Sequence, residues 1–133
     1  MTKEDVLEAR KFEDKIAQGG RAINVHSEVG GGKEQIMGGR KWLEVSGDEP
    51  YDVPYRLLLP LGVDGLLVAG RCISVDHMAL GSLRGEPLCI ATGEAAGTAA
   101  ALAVRQRATP RQVEIRTLQH MLMSQGVDLG QNM

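Results

Sequence analysis

Cysteine is scarce: Cys72 and Cys89 are the only two in 133 residues, and they form no C-x-x-C pair. That excludes a disulfide framework and leaves two free, buried thiols as the expectation. Aromatic side chains are also few at 3%, and Phe12, Trp42, Tyr51 and Tyr55 all fall in the first half. The second half must therefore pack on aliphatic and small side chains. Charge of either sign is also unremarkable, with 15 Lys and Arg against 17 Asp and Glu. Without a basic footprint, nucleic acid is not expected as a partner. No run reaches the roughly 18 apolar residues of a membrane span, and the charged opening MTKEDVLEARK cannot act as a signal-peptide h-region. The chain is expected to be soluble and cytoplasmic, with no membrane partner.

Glycine and alanine are what the sequence has in excess. There are 17 glycines, many clustered, and an alanine-rich run near residue 100. Small residues let backbone approach backbone, or a ligand, closely. At this length one compact domain is expected, burying about two-thirds of the surface that its unfolded chain would expose.

Thr2 followed by Asp5 resembles a capping box, and Val6, Leu7, Phe12 and Ile16 follow at loose helical spacing, so residues 3–17 are predicted helical. Residues 21–27 alternate Ala22, Asn24 and His26 against Ile23 and Val25, which predicts a half-buried strand. Residues 28–40 hold five glycines and predict an exposed loop or hairpin tip. Residues 51–59 and 65–69 are short apolar runs and predict strands, the second covered on both faces, with Pro54 setting the start of the first at a sheet edge. Residues 71–86 are polar, with one helical turn expected at His77 to Leu80. From Pro87 the run LCIATGEAAGTAAALAVRQR is a strong helix former, and Gly93 and Gly97 strip one of its faces of side-chain volume. Thr109-Pro110 opens a last helical segment that ends at Gly126.

Several chemistries are excluded by spacing. The string Gly30-Gly31-Gly32-Lys33 lacks the earlier glycine and the following Ser or Thr of a phosphate loop. Gly81-Ser82-Leu83-Arg84-Gly85 does not have the G-x-S-x-G spacing of a nucleophile elbow, and Ser74, Asp76 and His77 are sequence neighbours, unlike an assembled triad. No metal site is expected from Cys72, His77 and Cys89.

Residues 66–97 carry the positive signal: a buried strand ending at Gly70, a polar loop, and a small-residue helix starting near residues 86–88. This order presents free N–H groups and the positive end of a helix dipole to an electron-rich ligand. Here YDVPYRLLLPLGVDGLLVAGRCISVDHMALGSLRGEPLCIATGEAAGTAAALAV resembles the C-terminal signature of the FAD-dependent oxidoreductase family, in which Y-x-(I/V)-P-Y-R, N-L-L-V-A-G-R-C-I-S, G-S-x-R and G-(Q/E)-A-A-G-T-A-A recur. More distantly it is similar to the closing FAD-contact region of fumarate-reductase-like flavoproteins. The flanking pieces extend the resemblance over nearly the whole chain.

The resemblance implies an α/β fold, the C-terminal fragment of an FAD/NAD(P)-binding (Rossmann-like) flavoprotein with few strands, two or three helices and an incomplete sheet. It implies FAD as cofactor in the complete protein and a small organic substrate. It places Gly70 and Arg71 near the ribityl chain, and Ser82 and Leu83 near the flavin pyrimidine edge. Gly93, Ala96 and Gly97 fall on the close-packing helix face. Arg84 and His77 become the catalytic candidates, Arg84 for charge or an acidic substrate and His77, with His26, as proton carrier. Two departures stand out: Arg71 replaces a frequent acidic residue, and no G-x-G-x-x-G occurs in the chain. Residues 1–50 are then expected to be a remnant of a substrate or cap region, and residues 51–133 the C-terminal part of the FAD-binding domain. Self-association, or pairing with a chain that carries the nucleotide-binding half, is expected to cover the open edge. The competing expectation is a non-enzymatic oligomerisation or binding module that retains the fold.

Overall fold

The computed structural model describes residues 1–26, 36–37, 40–43 and 49–130. Helix α1 spans Lys3–Leu7 and opens on the expected capping box, with the Thr2 side chain accepting from the Asp5 N–H and the Asp5 side chain from the Thr2 N–H. It does not continue to residue 17. Ala9 turns left-handed (φ 49°), and the Ala9 and Arg10 N–H groups close back on the Val6 and Asp5 carbonyls. This is a Schellman stop with alanine where glycine is usual. Lys15–Gly19 becomes strand β1 instead, because pairing with a second strand buries Ile16 completely.

Strand β2 is Ile23–His26, inside the predicted 21–27. Of the loop or hairpin tip expected at 28–40, the described part contains β3, Ile36–Met37, and the start of β4, Arg40–Leu43. These form an antiparallel sheet in the order β2-β4-β3. Strand β5, Tyr51–Pro54, pairs antiparallel with β1, Gly19 facing Tyr51. The strand predicted over 51–59 is cut in half, because Pro54 has no N–H for a ladder and the chain turns into a 3-10 helix at Tyr55–Leu58. Residues 65–69 join no ladder among the described residues; apart from the local turn bond from the Cys72 N–H to the Ala69 carbonyl, the Val68 N–H to Leu58 carbonyl bond (2.9 Å) is their one backbone attachment there. Leu66 is half exposed, because the second neighbour that a fully covered strand requires is absent from the described residues.

Helix α2 is His77–Leu83, a turn longer than the sequence suggests. Helix α3 is Glu86–Gln106, and α4 is Ile115–Ser124 after a 3-10 turn at Pro110–Gln112. The architecture is α/β, with short antiparallel strands and an open sheet. One core runs through it. Helix α3 contributes Leu88, Thr92, Ala95, Ala99, Leu102 and Ala103 at helical spacing, and these meet Ile16, Tyr51, Val53 and Leu58. By length and composition alone α3 could cross a membrane (mean hydropathy 1.3), a property that core helices of soluble proteins share.

Two glycines permit contacts that no side chain would allow. At Gly19 a Cβ would lie 2.5 Å from the Tyr51 ring, and at Gly81 one would lie 2.9 Å from the Asn24 carbonyl oxygen and from Val25 Cγ2. The second obstacle is backbone, which cannot rotate away. Gly81→Ala is therefore expected to destabilise the fold by about 1–3 kcal/mol, an overpacking penalty read as a lower thermal midpoint by circular dichroism; an unchanged midpoint would show that α2 does not lie this close to β2.

Candidate functional site

Helix α2 carries polar anchors at both ends. Asp76 caps α2, its carboxylate accepting from the Ala79 N–H (2.6 Å) and from the Lys3 N–H (2.8 Å), which ties the starts of α1 and α2 together. Burial pushes the Asp76 carboxyl up. The Ala79, Lys3 and Met78 N–H groups and the N-terminal ammonium outweigh this and hold it below the usual carboxylate value. At the other end of α2, Ser82 is fully buried. Its hydroxyl donates to the Arg21 carbonyl and is 2.6 Å from the Tyr51 hydroxyl, which therefore donates to it. Burial raises the Tyr51 phenol pKa; the Ser82 bond and Arg21 oppose that shift.

Two cavities flank the α2–α3 junction. The smaller, about 140 Å³, lies between β2 and α2 and is lined by Asn24, Val25, His77, Leu80, Gly81 and Arg84. His77, Gly81 and Arg84 are spaced i, i+4, i+7 and share one helix face. Arg84 donates from Nη2 to the Asn24 carbonyl (3.1 Å) and, among the described residues, has no carboxylate partner. Asn24 is 3% exposed and, among the described residues, its Oδ1 has no hydrogen-bond partner.

The larger cavity, about 410 Å³, opens at the start of α3, where Gly85, Pro87 and Leu88 meet Gly19, Arg21 and Ser82. Gly85 is the N-cap and provides no side-chain cap, so the first-turn N–H groups of α3 keep their hydrogen-bonding capacity. Those groups and the dipole make this end of α3 electropositive. A Cβ at position 85 would stand 3.0 Å from Arg21 Nη1, the far end of an exposed and flexible side chain.

The sequence-derived site residues fall into three groups. Arg71, Ser82, Leu83 and Arg84 converge on the junction: Arg71 Nε donates to the Arg84 carbonyl (3.3 Å), and Ser82 lines the larger cavity while Leu83 points into the core. Gly70, left-handed at φ 63°, donates its N–H to Thr92 Oγ1 (3.0 Å) and rests against Cys89. Gly93 and Gly97 lie on the exposed face of α3, where a Cβ would meet nothing within 4 Å, and Ala96 is half-buried against the core. His77 and Arg84 are brought to one cavity; the side chain of His26 lies outside the described residues. Asn24 and Arg21 were not singled out by the sequence. Asparagine inside an apolar alternation was the available signal for Asn24, since that residue is depleted in strands. Both cysteines are free, but Cys72 is exposed, which corrects the expectation of two buried thiols, because the turn at Gly70–Cys72 sits on the outside of α3.

The chain is thus an α/β fold in which the start of α3 opens on a cavity. The family model for FAD dependent oxidoreductases matches residues 1–122, and the chain belongs to that family. No curated protein and no solved structure matches it.

Because the folded-state pKa of Asp76 is depressed, its contribution is present at neutral pH and is lost as pH falls from the ordinary carboxylate value of about 4 through the folded one. Asp76→Ala should lower stability at pH 7 by about 1 kcal/mol, the usual loss of an N-cap. It should also flatten the melting-temperature profile between about pH 5 and pH 3; an equally steep profile in the variant would place the acid-sensitive group elsewhere. Brief alkylation of the native protein is expected to modify Cys72 before Cys89, as read by peptide mass spectrometry, and the reverse order would contradict the outward position of the Gly70–Cys72 turn.

Proposed function

We propose that this chain is the C-terminal segment of an FAD-dependent oxidoreductase, supplying the flavin-facing loop and helix for hydride or electron transfer with a small organic substrate. The observation that supports it best is the uncapped, electropositive start of α3 opening on a 410 Å³ cavity beside the one that holds His77 and Arg84. The size lies in the usual range for ligand pockets. The residues fit the group: unused N–H donors and Arg21 suit the edge of a ring that gains negative charge on reduction. When bound, FAD supplies the electron and hydride chemistry.

The chain's own part is binding, orientation and protons. The α3 N–H groups hold the ring edge. Ser82 and Leu83, with hydroxyl and side chain turned inward, contribute through their backbone. Gly70 and Arg71, joined to the junction by the Arg71 bond to the Arg84 carbonyl, meet the ribityl chain, and Gly93, Ala96 and Gly97 offer a flat face for close approach of another backbone. Arg84 holds an anionic group and His77 accepts or donates a proton at its imidazole. Alone the segment is inactive, and it works when paired with a chain or region that carries the nucleotide-binding half.

A second reading, a non-enzymatic oligomerisation module, is favoured by the exposure of Ile90 (64%) and Val104 (78%) along the glycine face of α3. The two separate on one experiment: the visible absorption spectrum after adding FAD and desalting, with the mass in solution measured alongside. The first reading expects no retained flavin in the chain alone, and flavin retained once the nucleotide-binding half is supplied, with Gly93→Leu or Gly97→Leu abolishing that retention. Loss of assembly in the same variants, with no dependence on flavin, would overturn it in favour of the second.

A further inference from the structure

We infer that the exposed face of α3 is the contact surface for a second copy of this chain, the two α3 helices packing antiparallel along the line Ile90, Gly93, Gly97, Ala100 and Val104. Spacing is the first observation. These positions alternate steps of three and four, the interval that keeps a seam on the side of one helix that faces another. At about 100° per residue they lie opposite Thr92, Ala95 and Ala99, which are buried on the core side. All five are exposed, Val104 by 78% and Ile90 by 64%. A Cβ at Gly93 or Gly97 would meet nothing within 4 Å, so neither glycine answers a packing need inside this chain. Glycine in a helix interior costs stability relative to alanine, a cost that the close approach of a second helix offsets.

The order of sizes along the line selects the direction of the partner. Two copies running parallel and in register would set Val104 against Val104 and leave the glycines facing each other across a gap. Running antiparallel, Val104 of one copy sits in the hollow at Gly93 of the other and Gly97 meets Ala100, so bulk fills each gap. Charge makes the same choice. Glu94 and Arg105 are three helical turns apart on one flank of the seam, both exposed, and neither has an ion-pair partner among the described residues. The register that puts Val104 on Gly93 brings Glu94 within roughly 3 Å, along the axis, of the second copy's Arg105, and two-fold symmetry makes that pair twice. The parallel register sets Glu94 beside Glu94 and Arg105 beside Arg105, which repel.

The inference deepens the second reading above by naming its partner, and it rests on the α3 face being uncovered in the chain alone. The test therefore needs no flavin. The full chain is followed by sedimentation velocity at low salt while it is diluted through the micromolar range, and a reversible monomer–dimer equilibrium is expected. Glu94→Arg and Arg105→Glu, each alone, should weaken the dimer about tenfold, because two attractions become two repulsions, and the double variant should recover it. Val104→Asp, which buries a charge in the seam, should abolish it. All three positions are exposed in the monomer, and recovery in the double variant shows that the fold survives both charge changes. A chain that stays monomeric throughout, assembly beyond a dimer, single reversals without effect, no recovery in the double variant, or Val104→Asp dimerising like the unaltered chain would each overturn the inference. Flavin retention with the nucleotide-binding half supplied is a separate readout, and its failure counts against the proposed function alone.

Discussion

Helix α2 lies on β2 at backbone distance, and nearly everything that could act in this molecule is held by that contact. It exists because position 81 has no side chain, the space for a Cβ being filled by the Asn24 carbonyl and Val25. One residue on, the Ser82 hydroxyl bridges the Arg21 carbonyl and the Tyr51 phenol inside the core. A fully satisfied buried hydroxyl is more restrictive than apolar packing, because displacing it strands several polar groups at once. The end of α2, the start of α3 and the end of β1 are thereby fixed relative to one another. The Tyr51 ring in turn reaches Ser82 only past Gly19.

From that anchoring the division of the two cavities follows. Gly81 and Arg84 face one side and Ser82 and Gly85 the other, because a helix rotates its side chains by about 100° per residue and α2 ends between them. The smaller space is lined by a cation and a histidine; the larger is lined by Arg21 and the start of α3. Arg71, donating to the Arg84 carbonyl, adds a third guanidinium to the neighbourhood. Three guanidiniums thus gather near the junction of a chain whose net charge is −2, against Glu86 in the first turn of α3 and Asp128 beside the larger cavity. Local arrangement, not the overall balance, decides what such a site attracts.

The opposite side of α3 has a different character. Ile90 and Val104 stand exposed along a line of glycine and alanine, and Leu61, Val63 and Leu66 are exposed on the segment that leads to Gly70. An apolar helix face and a segment that joins no ladder among the described residues leave surface and hydrogen-bonding capacity that a covering element would use. The physical imbalance is plain: α3 buries one stripe against β1, α4 and the 3-10 turns and leaves the other uncovered among the described residues, while its composition, rich in alanine and short of charge, suits burial on both.

What could be read from the residues alone was mostly local. The capping box at Thr2, the Pro-led start and long course of α3, the break at Gly126 and the family signature of residues 51–104 depend on short-range chemistry, which the sequence displays directly. The helix expected over residues 3–17 and the strands expected over 51–59 and 65–69 were altered by partners distant in sequence: Ile16 is buried by pairing with β5, Pro54 ends that pairing, and residues 65–69 find no ladder among the described residues. The site divided in the same way. Arg84 and His77 could be chosen for their chemistry, but that they share a cavity, that Arg84 is held there by the Asn24 carbonyl, and that Ser82 turns inward were decided by the packing of α2 on β2. Sequence determines which groups are available, because each residue carries its own donors, charge and volume. Which of those groups meet, and which stay unsatisfied, is set when elements some sixty positions apart come to backbone distance, as Asn24 and Arg84 do here.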